Sequence, residues 1–583
     1  MSPRTFARIR FFRLILVTLA LTVVARLVDV QVVHAAQYRA AASRELTVKV
    51  TVPALRGGLY DRQGHVLAIS VPTKEIVADD FQITHPLREA SVLSPLLGIP
   101  ESSLSVDLAQ RSGYVVLASH VAQAQAAKIS AARLPGITEL DSMLRVAPAG
   151  PLAAPVLGYL HASGVGAAGL ELEFNRLLAG TSRTETLLES PLGIVIPDGR
   201  GATEASGEGT GLELTLDEPL QYEAEQALAA EIETSGAQSG EAIVMDVHSG
   251  QILAMANLVR TPSGGNVPNT GGRVAEAPQN LALTQAYEPG SVFKLVTFAA
   301  ALQEGVITPS TVLTVPDTIT LDGSLFHDAE SHPTEQLTAT QVLAQSSNIG
   351  TSEVASRVGE RRLLAEVKTF GFGAPTGLNF PGETPGLLAG ASQWEPTNIV
   401  SLPIGQVDAV TAQQVLDAFN AVANGGVFIQ PSLVRATVDA NGRATAVPPP
   451  PSHRVLSPTV AAELTTMFEQ VVTSGTGTSA VIPGYTVAGK TGTAQIPITG
   501  GDGYVPGAYM ATFVGFAPAE HPVLSAIVVL DHPTPIYGGT VAAPVFAQIM
   551  GYALHRYGIP TSSEAASQAP NAVQPTSQAQ DVT

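Results

Sequence analysis

Glu288-Pro289-Gly290-Ser291-Val292-Phe293-Lys294 sets a hydroxyl and an amine three residues apart, just ahead of the apolar run Leu295 to Leu302 and a stop at Gly305. Pro289 and Gly290 break what precedes, and Gly305 just past the last apolar residue is a C-terminal cap, so the stretch reads as a buried helix starting near Ser291. Residues i and i+3 share a helix face, which puts the Ser291 hydroxyl within reach of the Lys294 amine. A hydroxyl is a weak nucleophile until an adjacent base takes its proton. Lysine is that base only if its pKa falls from about 10.4 toward roughly 7 to 8, which burial and nearby positive charge bring about. An apolar helix and the positive end of its dipole supply both.

Ser-x-x-Lys recurs by chance in long chains, so its partners decide. Ser346-Ser347-Asn348 follows the helical Ala339 to Gln345 and would present a second hydroxyl, Ser346, and an amide, Asn348, from another element. In isolation it is a helix-ending polar cluster. Lys490-Thr491-Gly492-Thr493 continues the strand-like Tyr485 to Gly489. There Lys490 and the hydroxyls of Thr491 and Thr493 would bind a carboxylate, and Gly492 would let a ligand approach the backbone. With the three motifs in this order, the chain resembles the penicillin-binding transpeptidases. Its long N-terminal half resembles the monofunctional, class B members of bacterial cell-wall synthesis.

The resemblance implies an α+β serine β-lactamase/penicillin-binding-protein transpeptidase fold, an antiparallel sheet flanked by helices, with an N-terminal pedestal domain and a transmembrane anchor. It implies that Ser346 relays protons to the leaving group and that Asn348 holds Lys294 and the substrate's amide. The backbone N–H groups of Ser291 and Thr493 would form the oxyanion hole. Where members commonly carry Gly-Gln-Gly, this chain has Gly405-Gln406-Val407.

The elements that must position these residues sit in a 583-residue chain, 45% apolar, which is ample for a large catalytic domain and smaller ones. A net charge of −19 argues against a nucleic-acid partner. With no cysteine there are neither disulfides nor thiolate metal ligands. The twelve histidines form no HExxH; His327-Asp328 and His332 fall in a polar loop and read as solvated, and neither metal nor cofactor is implied.

At the N-terminus Arg4, Arg8, Arg10 and Arg13 precede the uncharged run Leu14 to Ala25. Twelve residues cover about 18 Å, short of a hydrocarbon core of roughly 30 Å, but Phe11, Phe12 and Leu27 to Val33, with snorkelling arginines, bring the segment to length. A cleaved signal peptide ending near Ala35-Ala36 is the competitor. Residues 1–34 are therefore expected to be a cytoplasmic tail and anchor, 35–205 the pedestal, 206–558 the transpeptidase domain and 559–583 a disordered tail.

Arg56 to Gly64 is similar to a pedestal signature of the family, and Asp61 to Gly64 reads as a turn between strands. Val121 to Lys128 reads as helical. Glu171 and Glu173 read as surface or domain-interface glutamates, and Gly475-Thr476-Gly477-Thr478 as a flexible turn, since no GK[ST] closes it into a phosphate loop.

The implied function is a membrane-anchored D,D-transpeptidase that cross-links peptidoglycan stem peptides through a Ser291 acyl-enzyme, with β-lactams acylating the same serine. The implied location is the cell membrane, single-pass, with the catalytic domain on the outer face. Glu288 to Ser291 and Tyr537 to Phe546 look more like septal than elongation-type members. No glycosyltransferase signature is seen, so a polytopic glycan polymerase and other division proteins are the implied partners. An elongation-type transpeptidase, a β-lactam hydrolase and a non-enzymatic envelope scaffold or sensor are the alternatives.

Overall fold

The computed structural model describes residues 3–38, 47–52, 54–188, 207–262, 264–267, 272–321, 324–388, 398–406, 408–498, 500–501 and 503–563. Most of the expected C-terminal tail, most of the linker expected from Pro197, and Val407 lie outside these residues. The chain divides into two compact units: Met1–Leu55 with Ser70–Leu144 and Gly180–Gly209, and Arg56–Ile69 with Arg145–Ala179 and Thr210–Thr583.

In the first unit the helix Pro3–Val28 runs on into the π-helical turn Asp29–Val33, and the 28 residues Phe6–Val33 are long and apolar enough to cross a membrane. The hydroxyls of Thr18 and Thr22 donate back to the carbonyls of Leu14 and Thr18, so neither polar group is left facing hydrocarbon alone. Further along, Thr73–Ala78 pairs antiparallel with the strand Val115–Ala122. Helices Pro86–Leu97, Glu101–Asp107 and Gln123–Ala131 bury Leu93, Leu104 and Ile129 in the same core as Ile76 and Leu117. The helix expected over Val121 to Lys128 begins only at Gln123, because Val121 and Ala122 are still paired with Lys74 and Thr73.

In the second unit Leu59–Tyr60 lies parallel to Gly211–Leu214. Asp61 closes the following turn by accepting the backbone N–H groups of Gln63 and His65, each at 2.8 Å, as expected for a structural turn. Glu171 corrects the sequence reading: it is 2% exposed and pairs with both Arg56 (2.6 Å) and Arg145 (2.7 Å). Two guanidinium groups enclose this carboxylate and offset the cost of burying it. Glu173 is only partly buried, yet burial and the charge of Glu383 push its pKa up to about 8.

The core of this unit is a six-stranded antiparallel sheet of β1 (Ser239–Asp246), β2 (Ile252–Arg260), β3 (Val274–Glu276), β4 (Ala488–Pro497), β5 (Tyr504–Ala517) and β6 (Leu524–Asp531), in the order β3-β2-β1-β6-β5-β4. The expected hairpin at His248-Ser249-Gly250 joins β1 to β2, with Gly250 at φ 69°. Side chains alternate across a strand, so each strand serves two cores. Ile243, Met245, Ile527 and Val529 face one, with Val296, Phe419 and Phe468. Ala242, Val244, Ala526 and Val528 face the other, with helices α1 (Glu218–Ser235) and α4 (Gly538–Arg556). Helices on both faces explain why β6 carries the continuous apolar run Ala526 to Leu530 rather than an alternating one. The helices that carry chemistry are α2 (Lys294–Gln303) and α3 (Asn348–Val358).

Candidate active site

The nucleophile candidate sits on a tighter turn than the sequence suggests. Gly290–Phe293 is 3-10, and the α-helix proper begins at Lys294. Gly290 adopts φ 59° and donates its N–H to the Gly405 carbonyl at 3.0 Å. Gly405 is itself at φ 78°, and a Cβ there would meet the Gly290 oxygen at 2.2 Å, so only glycine fits beneath the turn. Val292 and Phe293 are buried, the Phe293 ring meeting Phe372 edge-on at 5.0 Å. That packing fixes the turn and leaves Ser291 partly exposed.

Lys294 is 0% exposed. Its Nζ donates to the Ser346 carbonyl at 2.5 Å, to Asn348 Oδ1 at 2.9 Å and to Ser346 Oγ at 3.2 Å. Burial pushes its pKa down to about 7, against the attraction of Asp328. Among the described residues no hydrogen bond joins Ser291 Oγ to Lys294. The amine is drawn instead to three acceptors of the second motif.

That motif lies where two helices meet. Ala339–Gln345 ends at Ser346 in the left-handed region (φ 63°), with the N–H groups of Ser346 and Ser347 turned back to Leu343 and Val342. Ser347 caps α3 by accepting the Gly350 N–H at 2.9 Å. A non-glycine residue at positive φ is held there only by its surroundings. Here the surroundings direct the Ser346 hydroxyl between two lysines, because Lys490 Nζ donates to it at 2.9 Å. Lys490, also 0% exposed, is held well below the usual lysine range by burial and by Lys294.

The third motif occupies β4, an edge strand. Alternation turns Lys490 and Gly492 to one face and Thr491 and Thr493 to the other. Thr491 Oγ1 lies 2.6 Å from Thr476 Oγ1, and Thr493 Oγ1 accepts the Gly538 N–H at 3.3 Å. At Gly492 a Cβ would meet Val292 Cγ1 at 3.1 Å and the Pro289 oxygen at 3.2 Å. On that side it is the nucleophile turn that packs against this glycine. The arrangement joins Lys294, Ser346, Asn348 and Lys490 in one hydrogen-bonded group beside the Ser291 turn, a buried amine of lowered basicity with a hydroxyl shared between two lysines and an amide, while the hydroxyls of Thr491 and Thr493 meet Thr476 and the Gly538 N–H.

Residues 240–551 match the penicillin-binding protein transpeptidase domain family, and residues 51–208 the penicillin-binding protein dimerisation domain family. The chain belongs to the class B penicillin-binding proteins. It is 33% identical over 581 residues to the penicillin-binding protein PbpB of Mycobacterium tuberculosis, covering 94% of this chain and 85% of that one. It is 33% identical over 516 residues to the peptidoglycan D,D-transpeptidase FtsI of Escherichia coli K12, covering 86% and 84%. The solved structure of penicillin-binding protein 3 from Mycobacterium tuberculosis, complexed with aztreonam, superposes with a TM-score of 0.68 at 30% identity, covering 88% of this chain and 98% of that one.

Two features of this class B penicillin-binding protein escaped the sequence. Thr476 belongs to no flexible turn: its N–H donates to Ala344 at 3.2 Å, and a Cβ on Gly475 would strike the Ala344 oxygen at 2.3 Å. The alternation Gly475-Thr476-Gly477 was the available signal, since glycines flanking one polar residue mark close backbone packing as readily as mobility. Asp328 is no solvated loop residue either. Its side chain is 10% exposed and accepts the backbone N–H groups of Asn348 and, at 3.0 Å, Ile349.

Proposed function

We propose that Ser291 is the nucleophile of peptidoglycan D,D-transpeptidation and Lys294 its general base. The carrying observation is the buried Lys294 amine, its pKa lowered to about 7, hydrogen-bonded to Ser346 and Asn348 beside the Ser291 turn. Ser291 Oγ attacks the carbonyl carbon between the two terminal D-alanines of a stem peptide, and its proton passes to neutral Lys294 Nζ. The oxyanion formed is met by the backbone N–H groups of Ser291 and Thr493. As the C–N bond breaks, the leaving nitrogen takes a proton through Ser346 Oγ, which Lys294 and Lys490 both address. Asn348 holds the substrate's amide, while Lys490 and the hydroxyls of Thr491 and Thr493 bind its terminal carboxylate, with Gly492 letting the substrate approach the backbone. An amine of a neighbouring stem then attacks the Ser291 ester, forming the cross-link and returning the proton to Ser291.

β-Lactams enter the same cycle, because their strained amide imitates the D-Ala-D-Ala bond and Ser291 opens it to a stable ester. The apolar Phe6–Val33 helix serves as a single-pass anchor in the cell membrane. Arg4, Arg8, Arg10 and Arg13 hold its N-terminus in the cytoplasm and the catalytic unit outside. A septal role, with a polytopic glycan polymerase and other division proteins as partners, is supported by the likeness of Glu288 to Ser291 and Tyr537 to Phe546 to division-type members.

The test is labelling of the full-length protein in detergent with a fluorescent penicillin. The native protein should hold the label for many minutes and Ser291→Ala should take none. Label lost within seconds points to a hydrolase, and a folded native protein that takes no label points to a scaffold.

A further inference from the structure

The second motif is held from outside itself. Asp328 follows the hairpin Thr318–Leu321 with Ser324–His327, and its carboxylate reaches the start of α3. There it accepts the backbone N–H of Asn348, that of Ile349 at 3.0 Å, and the Ser347 hydroxyl at 2.7 Å. The first N–H groups of a helix have no partner within it, and a carboxylate placed there also meets the positive end of the helix dipole. Asn348 is pinned by the same loop, since its Nδ2 donates to the His327 carbonyl at 3.2 Å while its Oδ1 accepts from Lys294. His332 Nε2 lies 3.1 Å from Asp328 Oδ2, and the His332 N–H donates to Asp317 at 3.1 Å, so the loop is braced behind the carboxylate.

We propose that Asp328 is a positioning residue of the acylation step, aligning Ser346-Ser347-Asn348 against Lys294. The inference rests on Lys294 acting as the base. Lys294 faces two charged groups, Asp328 from this loop and Lys490 from β4. Asp328 in turn faces Lys294 and His332, and His332 also faces Glu335. The negative charge of Asp328 favours the ammonium form of Lys294, opposing burial. Without that charge the amine becomes neutral at lower pH, and without the carboxylate's hydrogen bonds Asn348 and Ser346 lose their fixed place.

The rate constant of penicillin acylation is measured on full-length native protein, Asp328→Asn and Asp328→Ala, across about pH 5.5 to 9, with melting curves for each. In Asp328→Asn, which keeps the shape of the side chain, the plateau rate should fall at least about tenfold while non-covalent penicillin affinity stays within about twofold, and the acidic limb should move to lower pH. In Asp328→Ala the plateau should fall further. A plateau and limb matching the native protein overturn the inference, and so does a rate loss that follows only the loss of folded protein with the limb unmoved. A native protein that never labels brings down the base assignment as well; one that labels while Asp328→Asn behaves identically brings down this inference alone.

Discussion

Lys294 illustrates how one residue carries both a stability and a functional consequence. Its folded pKa of about 7 lies below the ordinary lysine value, so between about 7 and 10.4 the unfolded chain binds the extra proton. Stability from this group therefore rises with pH through that window, and below about pH 7 the full penalty of a buried ammonium is felt. Lys294→Met should raise the melting temperature at pH 6, as a scan would show, while lowering acylation by roughly 10²- to 10⁴-fold, the usual contribution of a general base. In the native protein the acylation rate should fall as pH drops through about 7, where the amine becomes protonated. Glu171 is the structural counterpart. Glu171→Ala leaves the Arg56 and Arg145 guanidinium groups buried without their anion, and denaturant unfolding should register a loss of about 3 to 5 kcal/mol. At this scale the sequence was legible where spacing carries the chemistry, as from Ser291 to Lys294. It was not legible where chemistry comes from tertiary approach. Nothing local to His327-Asp328 says that this carboxylate caps a helix beginning twenty residues later, and nothing around Thr476 says that its hydroxyl meets Thr491.

Elements were legible in kind and less so in their ends. The strand–turn–strand of β1 and β2 and the strand leading into Lys490 follow from composition and turn residues, and the structure has them. The 3-10 turn at Gly290 does not, because it is imposed by Gly405 and by Gly492 pressing from two sides. Val121 and Ala122 read as helix by composition but are claimed by strand pairing. The same crowding makes a prediction. Gly405→Ala adds a Cβ against the Gly290 backbone in a left-handed conformation, a backbone penalty of about 1–2 kcal/mol for an L-residue. The nucleophile turn should be displaced, so acylation by penicillin should fall by well over tenfold while far-ultraviolet circular dichroism stays native. Equal acylation rates in the two proteins would show that the turn does not depend on this support.

For the whole molecule, the α+β transpeptidase fold and an apolar N-terminal helix long enough to span a bilayer were legible from three motifs and one hydropathy run. The two-core sheet was not, because apolar strands buried on both faces show no alternation to read. Four arginines in the first turns of the helix, ahead of its uncharged run Leu14 to Ala25, predict its orientation. External protease should therefore degrade the large domains in right-side-out vesicles and spare them in inverted ones. The central claim is acyl transfer from Ser291, and the most direct measurement is to give the full-length protein a donor stem pentapeptide ending in D-Ala-D-Ala with an acceptor stem amine and to resolve the products by mass spectrometry. One D-alanine released for each new amide cross-link, with the donor trapped on Ser291 when the acceptor is withheld, is the predicted result. D-alanine release that yields only the hydrolysed donor, or cross-links that persist in Ser291→Ala, would contradict it.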